Sequence, residues 1–241
     1  MRWVYVSPHL DDAALCAGGL IYDQYQAGER VEIWTVLAGV PTAAQLTPYA
    51  RVMHQRWATT TAEQTVLLRC SEDERAAHIL GATPRHLHFL DAIYRTTVAG
   101  EALYGDPVGA PVHPEDEALV LGIADELRRR LRPEDYLICP LGIGNHADHV
   151  IVRRASEATG APLSYIADFP YVVQYPESIQ QRVGDLRPDL RPISEAGVGA
   201  WIRAVQAYSS QLAAVFGDAD PAELIRRYWQ AAQGINLWAS F

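Results

Sequence analysis

The chain has 241 residues; 29 are Asp or Glu and 20 are Lys or Arg, giving a formal net charge of −9. Hydrophobic residues make up 49% and charged residues 20%, the balance of a folded globular protein rather than a disordered or collagen-like one. Every basic residue is Arg, so no lysine is present for Schiff-base chemistry or a nucleotide P-loop, and the acidic balance argues against a nucleic-acid partner.

Residues 3–7 are an apolar, β-branched run that predicts a buried strand. Pro8-His9-Leu10-Asp11-Asp12 interrupts it, residues 13–27 read as a helix ending at Gly28, and residues 31–37 read as a second strand. This is a strand–loop–helix–strand unit, which pairs parallel strands by a right-handed crossover. Residues 39–48 read as a loop; 49–80 read as helical with a break near 59–61 and a cap at Gly81. A third strand is expected at 86–90. Residues 91–113 then form a long loop of the kind that covers binding sites. A helix at 115–131, a strand at 135–140, a turn at 141–145, a helix at 147–158 and a strand at 163–167 follow, with helical patterns at 195–216 and 221–233.

Strands alternate with helices through residue 167, so the expected fold is a single α/β domain over residues 1–241. It is Rossmann-like, with about five mostly parallel strands, helices on both faces and extra helices at the C-terminal end. Cys16, Cys70 and Cys139 form no CxxC motif and read as reduced thiols. There is no signal-peptide pattern and no apolar stretch near the roughly 20 residues needed to cross a bilayer, so a cytoplasmic protein without a membrane partner is expected. Nothing in the sequence sets the oligomeric state.

In open α/β sheets, ligands bind beyond the carboxyl ends of the strands. Two polar clusters fall there: His9-Leu10-Asp11-Asp12 after the first strand and His146-Ala147-Asp148-His149 after the fourth. Burying such groups costs stability unless they are paired or hold a ligand. His9, Asp12 and His149 offer two imidazoles and a carboxylate, a three-ligand zinc set with positions left for water and substrate; the same set suits ferrous iron. Asp11, beside a ligand, is a candidate general base. His146 is a candidate to protonate a leaving group or stabilise an oxyanion, and Asp148 to fix a histidine tautomer.

Three other readings stand beside this one. His9 with Asp12 also fits a helix-capping carboxylate next to a surface histidine. Gly142-Ile143-Gly144-Asn145-His146-Ala147 fits a dinucleotide fingerprint, with Asp168 as the ribose acid. A third possibility is a protein that binds metal or sugar without turnover. Of the remaining histidines, His86 and His88 read as solvent- or loop-facing, and His54, His78 and His113 as surface residues. The loop tyrosines Tyr94, Tyr104, Tyr171 and Tyr175 read mostly as packing residues.

Ser7-Pro8-His9-Leu10-Asp11-Asp12, Gly18-Gly19 and His146-Ala147-Asp148-His149 together resemble the LmbE-like (PIG-L) zinc-dependent de-N-acetylases, which read HPDD, GG and HxDH. Arg69 with Glu72, Leu80-Gly81, Asp91 and Tyr208-Ser209-Ser210-Gln211 extend the likeness over most of the chain. The resemblance implies zinc on His9, Asp12 and His149, Asp11 as base, and His146 as an electrophilic or acid group oriented by Asp148. It implies that Arg69 and Asp91 line the substrate site. The implied reaction is hydrolysis of an N-acetyl group on an amino sugar or related small molecule. Leu10 and Ala13 depart from the family's Pro and Glu, and Gly144 stands where some sugar deacetylases carry Tyr.

Overall fold

The computed structural model describes residues 1–240. In chain order its elements are β1 (Arg2–Ser7), α1 (Asp12–Gln26), β2 (Arg30–Thr35), α2 (Pro48–Arg56), α3 (Ala62–Leu80), β3 (Thr83–His86), α4 (Glu117–Arg130), β4 (Asp135–Pro140), α5 (Ala147–Ala158), β5 (Leu163–Ile166), α6 (Tyr171–Gln174), α7 (Ser178–Val183), β6 (Arg187–Pro192), α8 (Glu195–Gln206), α9 (Leu212–Phe216), α10 (Pro221–Gln230) and β7 (Gly234–Ala239). The strands form one sheet in the order β3-β2-β1-β4-β5-β7-β6. The first five are parallel, as expected.

β1 is buried along its whole length, which is why it reads as an uninterrupted apolar run. The chain builds outward from β1 to β3, then returns to lay β4 on the other side of β1. That reversal opens a crevice at the carboxyl ends of β1 and β4.

Two strands depart from the expectation. β7 pairs antiparallel with β5, and β6 pairs antiparallel with β7 at the sheet edge. β6 carries Pro188 and Pro192 and is largely exposed, so it has neither the apolar period nor the donors of an inner strand. The third strand lies three residues earlier than expected, because its ladder pairs Thr83–His86 with Glu32–Thr35 of β2. Helix 195–216 is broken at 207–211 into α8 and α9.

α1 packs across α8 through Gly18 and Gly19. A Cβ on Gly18 would lie 2.6 Å from Trp201 Cδ1, so the glycine is what lets the indole seat. Trp201 is fully buried and its indole N–H donates to the Leu15 carbonyl at 3.0 Å.

Loop 91–113 is docked as a wall. The Ala147 amide donates to the Pro107 carbonyl at 2.9 Å, and the Gly109 amide to the Asn145 carbonyl at 3.1 Å. Among the described residues, no helix is long and apolar enough to cross a membrane.

Candidate active site

After β1, Ser7 shapes the turn: its hydroxyl donates to the His9 carbonyl at 2.7 Å and accepts the Ala13 amide at 3.0 Å. This pins His9, Asp11 and Asp12 at the N-terminus of α1, where the helix dipole favours carboxylates. After β4, His146 caps α5, its Nδ1 accepting the Asp148 amide at 3.2 Å. His149 follows in the first turn.

The two turns meet. Asp12 Oδ2 lies 3.2 Å from His9 Nδ1 and 3.3 Å from His149 Nε2. Ligand atoms of all three residues fall within 4.8 Å of one another. The second nitrogen of each ring is held by a carboxylate: His9 Nε2 by Asp148 Oδ2 at 2.9 Å, and His149 Nδ1 by Asp168 Oδ1 at 2.6 Å. Carboxylate-backed imidazoles of this kind surround metal ions.

The electrostatics fit a cation. Burial alone would lower both imidazoles, but the carboxylates prevail: Asp91, Asp12 and Asp148 hold His9 well above its ordinary value, and Asp12 and Asp168 push His149 up to about 10. Burial would raise Asp12, yet His149 and His9 hold it well below the carboxylate range. Both rings are raised by the same crowd of carboxylates, the negative charge that a bound dication would balance. Two imidazoles and a carboxylate are a donor set that suits a divalent metal.

Asp11, Arg69, Asp91 and His146 line the same cavity, of about 390 Å³. Burial first, then Asp12, pushes the Asp11 carboxyl up to about 6, with Arg69 opposing from 3.6 Å. Arg69 also lies 3.7 Å from Asp91 and stacks on Trp57 at 4.7 Å; its Nε has no hydrogen-bond partner among the described residues. Burial, then His9, holds His146 well below its ordinary value, so it is a neutral imidazole. Its Nδ1 is an acceptor, which leaves the proton on Nε2.

Residues 4–159 match the family model PIG-L, GlcNAc-PI de-N-acetylase. The chain belongs to the PIG-L family. It is 26% identical over 235 residues to a 2′-N-acetylparomamine deacetylase of Niallia circulans, covering 90% of this chain and 82% of the relative. A deacetylase–bog complex from the teicoplanin biosynthesis pathway superposes with a TM-score of 0.85 at 28% identity, covering 99% of this chain and 97% of the other. The zinc-inhibited form of a teicoplanin deacetylase superposes with a TM-score of 0.83 at 26% identity, with the same coverage. The family and these relatives place the chain among hydrolytic de-N-acetylases whose His-His-Asp site suits a divalent metal.

The geometry corrects several expectations about this PIG-L member. The Asp148 carboxylate hydrogen-bonds His9 and its amide donates to His146 Nδ1, and ligand atoms of His9, His146 and Asp148 lie within 4.8 Å of one another. The dinucleotide reading fails because Asp168 is fully engaged, by His149 and by the Ile143 amide at 2.8 Å. Gly144, at φ +85°, is covered by Tyr171: a Cβ there would lie 2.8 Å from the ring, leaving no room for a phosphate. His54 is buried, not at the surface, and meets the Tyr94 hydroxyl at 2.7 Å. His86 is half-buried and pairs with Asp73 at 2.8 Å, whereas His88 is exposed.

Among the cavity residues Trp57 and Asp106 were not foreseen; Tyr171, expected to pack, lines the cavity, as does Gln211 at the end of the motif Tyr208-Ser209-Ser210-Gln211. Asp168 and Tyr171 lie beyond the segment that matches the PIG-L model. The position of Asp168 at the end of β5 was its signal.

Proposed function

We propose that this chain is a metal-dependent hydrolase that removes an N-acetyl group from an amino-sugar-like small molecule. The observation that carries the reading is the convergence of His9, Asp12 and His149 on one cavity with a raised carboxyl, Asp11, and a neutral imidazole, His146. His9, Asp12 and His149 would hold the metal. Zinc is the proposed ion, and ferrous iron suits the same donors. When bound, such an ion supplies Lewis-acid polarisation of the acyl carbonyl and acidifies water.

Asp11 takes the proton from the attacking water. A carboxyl raised to about 6 remains ionised at neutral pH yet is a stronger base than an exposed aspartate. The water oxygen adds to the acyl carbon, and His146 Nε2–H donates to the oxygen that gains charge. Asp11 then returns its proton to the nitrogen as the C–N bond breaks, giving acetate and a free amine. Arg69 and Asp91 face the substrate, and Trp57 and Tyr171 give flat apolar walls suited to a sugar ring.

One relative is a 2′-N-acetylparomamine deacetylase and another a deacetylase in the biosynthesis pathway of teicoplanin, so the test is amine release from a panel of N-acetylated amino sugars. Metal content is measured in parallel by elemental mass spectrometry. The expected result is turnover with about one metal per chain, both lost in Asp12→Ala. Wild-type metal content in Asp12→Ala, or full turnover by metal-free protein, overturns the reading.

A further inference from the structure

Behind the three ligands lies a buried ion cluster that the proposed reaction does not use. At its centre is Arg95, only 7% exposed. Its Nη1 lies 2.6 Å from Asp148 Oδ1. Its Nε and Nη2 donate to Asp116 Oδ2 at 3.1 and 3.0 Å, and Nη1 donates to the Leu90 carbonyl at 2.9 Å. Tyr104 faces the guanidinium at 5.4 Å, and its hydroxyl donates to the same Asp116 oxygen at 2.6 Å. Tyr104, Asp116 and Asp148 are all buried.

An arginine buried between two carboxylates desolvates three charges at once, and such clusters add little to stability compared with apolar packing. Its contact with Asp148 points to another use. Asp148 Oδ2 accepts two hydrogen bonds of 2.9 Å, from the Ala92 amide and from His9 Nε2. A carboxylate turns about its Cβ–Cγ bond; Asp148 Oδ1 accepts no hydrogen bond among the described residues, so the Arg95 charge 2.6 Å away is the contact that restrains its plane. With the plane fixed, His9 is gripped at Nε2 and turns Nδ1 toward Asp12. Leu90 and Asp116 flank loop 91–113, so the same guanidinium also fixes the two ends of the cavity wall.

We propose that Arg95 is a positioning residue that sets the His9 ring for metal binding through Asp148. The inference rests on the metal reading above. The experiment is a zinc titration of chelator-stripped wild type, Arg95→Gln and Arg95→Lys in competition with a chromophoric chelator. Thermal unfolding is followed with and without zinc. Loss of an outer partner of a metal-bound histidine weakens binding about 10- to 100-fold, and that range is expected for Arg95→Gln. Arg95→Lys keeps the charge but not the fork, so it weakens zinc binding by a smaller factor. A purely structural role would lower Tm equally with and without zinc. The positioning role shrinks the rise in Tm that zinc itself produces. Wild-type zinc affinity in the folded variants overturns the assignment; if Arg95→Gln does not fold, Arg95→Lys decides alone. A wild type that binds no zinc overturns the metal reading, and the Arg95 assignment falls with it.

Discussion

Asp11→Asn removes the proposed base while keeping its shape. The Asp11 side chain is not among the groups that hold His9, Asp12 or His149, so metal content should not change. With its carboxyl pushed up to about 6 by burial and Asp12, Asp11 is mostly ionised at pH 7 and available as the base. Removing a positioned general base lowers turnover about 10²- to 10⁴-fold, which is about 3–5 kcal/mol of activation free energy. Arg69 keeps Asp91 as a neighbour at 3.7 Å, so the cavity should hold its form. The assay is acetate release at saturating substrate, with metal content and Tm measured on the same preparation. Turnover within tenfold of wild type at full metal content would refute the base assignment. A fall in turnover matched by lost metal would refute it equally, because Asp11 would then be serving the ligands.

Three further outcomes are expected. Gly18→Ala puts a Cβ 2.6 Å from buried Trp201 and should cost about 1–3 kcal/mol, lowering Tm by several degrees; an unchanged Tm would mean that α1 and α8 separate freely. Zinc binding at pH 7 should release protons from His9 and His149, read by calorimetry in buffers of different ionisation heat; no release would refute the raised imidazoles. Burial lowers His86, but its hydrogen bond to Asp73 prevails and pushes it up to about 10. A folded-state value raised in this way gives stability that is complete below the unfolded value, about 6.5, and is lost as pH rises through about 10. Urea unfolding should therefore show wild type losing its advantage over His86→Gln across that window; a constant difference would refute the pairing.

The inner parallel strands were legible because a strand covered on both faces has an apolar middle, as residues 3–6 of β1 and 136–139 of β4 do. β6 was not, since an exposed edge strand with two prolines has no apolar signature, and the site of β3 was set by its partner β2 rather than by its own residues. The proposed ligand trio was legible because His9, Asp12 and His149 follow strand ends, where open α/β sheets place ligands. That Asp148 would serve a histidine was legible, but that the histidine is His9 was not. Asp148 stands two residues from His146, and such neighbours on a helix do not face each other, so it turns to His9, 139 positions away in sequence. Arg95 and Asp168 act through partners that only the fold brings near.

His9 and Asp12 belong to the first crossover and His149 to the fourth strand's helix, so the trio exists only after β4 has docked beside β1. That pairing closes a loop of more than a hundred residues, a contact of high sequence separation. An ion that binds only the completed trio therefore has no foothold on partly built chains. It draws the population toward the finished sheet by mass action. The metal would thus act as a test of completed folding as well as a reagent, and a chain lacking the β1–β4 junction would be unable to hold it.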